Sequence, residues 1–193
     1  MAFVPRLSEH SPTEMRNPNN PWWYSNGNIY YAMGSSHQYG MPNCTCYCYG
    51  RTGEILGAFN TNLPAADAGN WLTRVQSAGV IPTGYTPQLG GIMVFGDRPN
   101  ASVHNAGHVA QVEKINSDGS VVTSNSGYQN PTYFWTETLR PSSGYLSNWM
   151  HNSSHDYEYK GCIYVYSAPP TPPVPVPVTR RKLPIWMLLR YGQ

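Results

Sequence analysis

The chain has 193 residues, a net charge of +2 and only 11% charged residues. Because no dense patch of Lys and Arg lies in the body of the chain, this composition argues against a nucleic-acid partner. Hydrophobic residues make up 40% of the sequence, which is enough for the core of one domain with extensions.

The first 21 residues are polar and punctuated by proline, which predicts an N-terminal arm. They contain no apolar run long enough for a signal peptide, and no stretch of the chain approaches the length of a transmembrane helix. We therefore expect synthesis in a cytoplasm, with any external site of action reached by a route other than secretion.

Residues 43–51 read Asn-Cys-Thr-Cys-Tyr-Cys-Tyr-Gly-Arg and follow a break in the chain at Gly40 and Pro42. This pattern predicts a helix that begins at Cys44 and ends near Thr52. Unpaired N–H groups and the macrodipole stabilise an anion at a helix N-terminus. We therefore expect the Cys44 thiol to lose its proton readily, which makes it a candidate nucleophile.

The other cysteines of this helix, Cys46 and Cys48, alternate with Cys44 along the chain. Neighbouring positions of one helix do not allow disulfide geometry, and the paired C-x-x-C spacing of a zinc site is absent. We expect Cys46 and Cys48 to be reduced packing residues.

A second helix is predicted from Pro64 to Gly79, because its apolar residues recur at helical spacing. The period changes after it, and residues 141–158 are polar and irregular. Five strands are predicted, at Ile92–Phe95, His108–Ile115, Ser120–Asn125, Phe134–Leu139 and Gly161–Tyr166.

The composition changes sharply near residue 167, which predicts a domain over residues 22–167. Residues 168–178 are rich in proline and valine and predict an extended linker. Residues 179–193 form a basic and apolar C-terminal tail, for which a membrane surface, a wall polymer and another protein are equally suitable partners.

The order of Cys44, His108 and Asn125 fits a nucleophile, a base and an orienting residue that come from three elements. A hairpin turn at residues 116–119 would pair the strand of His108 with the strand that ends at Asn125. Ser124 is an alternative orienting residue, and His104 is a weaker candidate for the base because its setting is a loop.

These stretches together resemble the CHAP domains, the cysteine, histidine-dependent amidohydrolases/peptidases. The similarity lies in residues 43–47, 64–71, 87–95, 107–113 and 118–125, and it extends from about Tyr30 to Tyr166. The resemblance implies a papain-like α+β fold, with N-terminal helices packed on a small antiparallel sheet, and cleavage of amide bonds in bacterial peptidoglycan. By position it makes Cys44 the nucleophile, His108 the general base and Asn125 the orienting residue.

The chain departs from the family pattern at three positions, with Cys46 for a Trp, Gly91 for an Asp and Asn125 where many members have Glu. It also lacks an acidic D-x-D cluster before Cys44, so we expect no metal, and we expect no cofactor. The predicted substrate-binding residues are Asn43, Tyr128 and Trp135.

The function predicted from the resemblance is that of a phage or prophage lysin, either an endolysin released through a holin or a virion-associated lysin. A muramoyl-alanine amidase and a cross-bridge endopeptidase would use the same triad, so the bond stays open. Two alternatives are a degenerate CHAP-like module that binds the wall or plugs a virion, and a toxin or effector amidase that acts on another amide.

Overall fold

Three helices precede an antiparallel sheet in this computed structural model, which describes residues 3–7, 15–102, 104–152 and 154–166. The helices are α1 (Ile29–Ala32), α2 (Cys44–Leu56) and α3 (Trp71–Ala78), with short 3-10 helices at Ser35–His37, Ala68–Asn70 and Pro141–Ser143. The strands are β1 (Thr83–Gly84), β2 (Ile92–Asp97), β3 (His108–Ile115), β4 (Val121–Asn125), β5 (Trp135–Leu139), β6 (His151–Asn152) and β7 (His155–Ile163).

The strands are arranged in the order β1-β7-β2-β3-β4-β5, and the short β6 pairs with β7. Every pairing is antiparallel, and β3 and β4 form the hairpin that the turn at residues 116–119 predicts. The predicted α+β class and the arrangement of helices before a small antiparallel sheet are confirmed.

Helix α2 begins where the side chain of Asn43 accepts a hydrogen bond from the backbone N–H of Thr45 (2.9 Å), a standard N-cap. The helix continues to Leu56, four residues beyond the predicted end. The glycine that suggested the earlier end, Gly53, is instead a contact point, because an added Cβ there would lie 2.9 Å from the Trp22 ring.

Each face of the sheet carries its own apolar core. On one face, α2 packs on β3 and α3 packs on β7, and the core includes Trp23, Tyr47, Trp71, Val94 and Val109. On the other face, a smaller core contains Met93, Phe95, Ala110, Val112 and Leu139. Cys46 and Cys48 are fully buried on the helical side, as packing residues should be.

The described parts of residues 1–21, predicted as an N-terminal arm, pack on the domain. Met15 is fully buried, and Arg6 forms an ion pair with Glu54. The Arg51 side chain donates a hydrogen bond to the backbone carbonyl of Val4 (2.6 Å). These contacts attach the start of the chain to α2.

Two further predictions need correction. The last strand runs over His155–Ile163 rather than over residues 161–166, because Tyr157 and Tyr159 alternate inward from its start. The predicted helix at 64–79 begins only with the 3-10 turn at Ala68. The predicted linker and tail lie outside the described residues.

Candidate active site

A cavity of about 880 Å³ opens where the N-terminus of α2 meets the first residue of β3. Cys44 and His108 both line it, although they are far apart in the sequence. The third predicted residue, Asn125, is fully buried behind His108. The structure therefore brings the three residues to one place.

Cys44 is the first residue of α2 and is 8% exposed, at the wall of the cavity. Backbone N–H groups of Val109, Thr45 and Cys44 itself act to lower the pKa of its thiol. Val109 directly follows His108, and α2 packs on β3, so the tip of α2 lies beside the start of that strand.

A glycine just before β3 allows the 3-10 turn at residues 68–70 to approach the start of that strand. Gly107, with a φ of +78°, has no room for a side chain, because an added Cβ would lie 2.4 Å from the backbone nitrogen of Gly69. The Gly69 N–H donates to the carbonyl of Ala106 (2.8 Å), so the 3-10 turn at residues 68–70 is attached beside His108.

A chain of hydrogen bonds fixes the orientation of the His108 ring. The hydroxyl of Thr123 donates to the carbonyl of Glu137 (3.4 Å) and accepts from Nδ2 of Asn125 (3.0 Å). Oδ1 of Asn125 therefore faces Nε2 of His108, 3.0 Å away. Since a carbonyl oxygen only accepts, Nε2 carries the proton, and the lone pair of the neutral ring lies on Nδ1.

Two tryptophans hold the same ring. Trp135 stacks on His108 with ring centroids 6.1 Å apart, and Trp149 meets it edge-on at 4.8 Å. Trp135 and Trp149 also contact each other, with centroids 5.2 Å apart. The aromatic packing restricts rotation of the imidazole and removes water from its hydrogen bond to Asn125.

Burial dominates the electrostatics of the pair. Burial raises the pKa of Cys44 to about 11, against the lowering effect of the backbone N–H groups at its sulfur. Burial also lowers the pKa of His108 to about 4, although the hydrogen bond to Asn125 works in the opposite direction. The expectation of an acidic thiol is therefore wrong, because the desolvation cost at this helix tip exceeds the gain from its N–H groups. At neutral pH the pair is an uncharged thiol and an uncharged imidazole.

This assignment predicts how Cys44 responds to alkylation. Carboxamidomethylation by iodoacetamide needs the thiolate, so its rate should rise steadily above pH 7 with a midpoint near 11. Peptide mass spectrometry of the labelled protein locates the modification, and the fully buried Cys46, Cys48 and Cys162 serve as internal controls. A labelling rate that is already constant below pH 7 would instead indicate a preformed thiolate–imidazolium pair.

The predicted substrate-binding residues take different positions. Asn43 and Tyr128 line the cavity, and Tyr128 is 54% exposed at its rim. The amide oxygen of Asn43 caps α2, whereas its NH2 group donates no hydrogen bond to a residue that the structure describes. Trp135 packs on His108 and is not among the cavity-lining residues.

The structure also separates the two competing candidates from the site. Ser124 turns to the other face of β4, where its hydroxyl donates to Glu113 (2.7 Å) and accepts from Tyr47 (2.8 Å). His104 has a side chain that is 77% exposed and pairs with Asp97 at 3.2 Å. Neither contacts the cavity.

Three residues of the cavity were missed in the sequence. His155 falls in the stretch 141–158 that the sequence marks only as polar and irregular. It lies in β7, lines the cavity and stacks on Trp149 with centroids 5.6 Å apart. Asp67 and Arg74 also line the cavity. Alternation of His155 with Tyr157 and Tyr159 was the one signal that could have placed His155 in a strand.

Within the described ranges, no group of three or more His, Cys, Asp or Glu side chains is placed to hold a metal ion. No described helix is long and apolar enough to cross a membrane.

Known proteins are similar to this chain in the region that contains Cys44 and His108. The family model of the CHAP domain matches residues 30–127. An N-acetylmuramoyl-L-alanine amidase domain-containing protein of Staphylococcus aureus is 35% identical over 94 residues, which are 49% of this chain and 15% of that protein. The staphylococcal secretory antigen SsaA of the same species is 36% identical over 104 residues, which are 54% of this chain and 34% of the antigen.

A crystal structure of an N-acetylmuramoyl-L-alanine amidase from Staphylococcus aureus matches with 31% identity and a TM-score of 0.44, over 54% of this chain and 30% of that one. The chain thus spans between about a seventh and a third of the curated relatives named above. The matched region contains Cys44, His108 and Asn125 together with the elements that position them. The chain belongs to the CHAP domain family.

Proposed function

We propose that the protein hydrolyses an amide bond of bacterial peptidoglycan by cysteine catalysis. The observation that carries the proposal is the hydrogen bond of 3.0 Å between Nε2 of His108 and Oδ1 of Asn125, which leaves Nδ1 as a base in the cavity that Cys44 also lines. Membership of the CHAP family and relatives named as amidases support the choice of bond and polymer.

In the proposed reaction, the Cys44 thiol attacks the carbonyl carbon while its proton passes to Nδ1 of His108. Because both groups are neutral at rest, proton transfer accompanies the attack rather than preceding it. The oxyanion that forms would accept hydrogen bonds from the backbone N–H of Cys44 and from the NH2 group of Asn43.

The imidazolium then gives its proton to the amide nitrogen, the C–N bond breaks and the amine leaves. The product is a thioester on Cys44. Water attacks this thioester while His108 accepts one of its protons, which releases the carboxylic acid and restores the thiol. Asn125 keeps the ring in the orientation that both transfers need.

The reaction class is tested by the ends that appear during digestion of purified peptidoglycan. We expect new amino groups and new carboxyl ends in equal amounts, and no new reducing sugar ends. Mass spectrometry of the muropeptides identifies the bond, either the muramoyl–alanine amide or a peptide bond of the cross-bridge. Sedimentation of the protein with the wall without any new ends would support the binding module instead.

The biological setting of this activity is a prediction from the sequence: the protein would be a phage or prophage lysin. It would reach the cell wall either by release through a holin or as a part of a virion. Immunoblots of virion and lysate fractions, made during host lysis with antibodies against this protein, test the setting separately from the chemistry.

A further inference from the structure

Two charged side chains in the cavity have no role in the fold. Of the described residues that line the cavity, two carry a charged Asp, Glu, Lys or Arg side chain: Asp67 and Arg74. Both are exposed, and neither forms an ion pair or side-chain hydrogen bond with a residue that the structure describes. In a chain with 11% charged residues, two unpaired charges in one cavity need an explanation from outside the fold.

Asp67 stands at a position where a structural role would be natural. It precedes the 3-10 turn at Ala68–Asn70, yet its carboxylate makes no capping hydrogen bond. The turn itself is fixed beside His108 through the hydrogen bond from Gly69 to Ala106. The backbone that carries Asp67 is therefore held at the cavity, and the carboxylate remains available to a ligand.

Asp67 and Cys44 line the same cavity, and the charge of the carboxylate adds a small part to the raised pKa of Cys44, which is mainly due to burial. Arg74 is seven residues further along the same wall, in the first turn of α3. The rise per residue of the 3-10 turn and of the α-helix separates the two backbone positions by roughly 10–12 Å. This distance corresponds to about three residues of extended peptide.

We infer that Asp67 and Arg74 form a binding site for a zwitterionic peptide. The ammonium group of the substrate would bind to Asp67, and a carboxylate of the substrate would bind to Arg74. The inference rests on the proposed function and specifies its ligand: the peptide part of the wall polymer, with a free side-chain amine, is recognised in the cavity. Binding of the ammonium group also neutralises the negative charge that opposes formation of the Cys44 thiolate.

The test uses soluble muropeptides with a lysine-type stem, either unmodified, acetylated at the free amine or methyl-esterified at the carboxylates. For the wild type, each modification should lower kcat/KM by about two- to fivefold, the range that exposed charge pairs produce. Asp67→Asn should become insensitive to acetylation but stay sensitive to esterification, and Arg74→Gln should show the reverse. Raising the salt concentration should weaken both preferences of the wild type.

Asp118→Asn and Arg140→Gln are matched controls, because these residues pair with each other outside the cavity and should keep both preferences. A second readout is alkylation of Cys44 at pH 8, which Asp67→Asn should accelerate because the opposing carboxylate is gone. A merely structural role for Asp67 would not produce this acceleration.

The inference is overturned if the wild type treats the modified and unmodified peptides alike, or if Asp67→Asn keeps the preference for the free amine. Its failure can be distinguished from failure of the proposed function by calorimetric titration of the same peptides into Cys44→Ala protein. Charge-dependent binding of the peptides without hydrolysis by the wild type would refute the proposed hydrolase activity but support the role of Asp67 and Arg74 in peptide binding. Hydrolysis without any charge dependence would support the hydrolase activity but refute that role of Asp67 and Arg74.

Discussion

Replacement of His108 by alanine is expected to lower kcat for release of amino groups by at least about 10³-fold, within the range that a general base contributes. In the proposed reaction Nδ1 of this ring accepts the Cys44 proton, since the hydrogen bond of Nε2 to Asn125 leaves Nδ1 as the basic nitrogen. Adding Cys44→Ala to His108→Ala should cost little more, because residues that act as a unit are not additive.

The matched comparison is Asn125→Ala, which removes the orienting hydrogen bond but leaves the base. A lost buried hydrogen bond costs about 1–3 kcal/mol, which corresponds to roughly 5- to 150-fold in kcat. Initial rates on soluble muropeptides measure both variants, and circular dichroism checks that they fold. Retention of wild-type activity by His108→Ala would remove it as the base and make His155, in the same cavity, the next candidate.

The largest expected effect on stability comes from Glu113, a fully buried carboxylate on the helical face of β3. It accepts two hydrogen bonds from Arg51 (2.8 Å each), one from Ser124 (2.7 Å) and one from the backbone of Arg6 (2.9 Å). Glu113→Gln removes the negative charge that lies fully buried beside the Arg51 guanidinium, which then keeps its ion pair with the partly exposed Glu54. Breaking a buried pair in this way costs about 3–5 kcal/mol, a large share of the roughly 5–15 kcal/mol that stabilise a domain.

Urea denaturation followed by circular dichroism measures the change in the free energy of unfolding. Glu158→Gln is the control, because Glu158 pairs with Lys160 at a partly exposed position and should change stability by no more than about 1 kcal/mol. Equal denaturation midpoints for Glu113→Gln and the wild type would show that the buried pair contributes no net stability.

The same ion-pair network predicts a loss of stability in acid. Burial opposes ionisation of Glu54, but the hydrogen bond and the charge of Arg6 prevail and lower its pKa. A carboxylate whose pKa is lower in the folded state contributes stability that is fully present above its unfolded pKa, about 4.3, and is lost as pH falls through the folded value. Thermal unfolding at a series of pH values should therefore show a decline that Glu54→Gln makes smaller.

Much of the site could be predicted because its residues lie next to strong local signals. A break before Cys44, a strand that opens with His108 and a turn that sets the β3–β4 register are all local features. They were sufficient to bring Asn125 to His108. The protonation of the pair was not predictable in this way, because the desolvation of Cys44 depends on side chains that arrive from other parts of the chain.

Other features depend on partners that are distant in sequence. The pairing of Arg51 with Glu113 joins residues 62 positions apart, and no local pattern marks either of them as buried. Glycine in α2 suggested an end of the helix, whereas Gly53 serves close packing against Trp22. Asp67 became a candidate only when the contact between Gly69 and Gly107 placed it at the cavity.

The central claim is that the thiol of Cys44 cleaves an amide of the wall polymer, and digestion of purified peptidoglycan by Cys44→Ala tests it most directly. The variant is compared with the wild type and with Cys48→Ala, which removes a buried thiol one turn along the same helix. The account predicts new amino groups with the wild type and with Cys48→Ala, and none above buffer with Cys44→Ala. Release of amino groups by Cys44→Ala at the wild-type rate would contradict it.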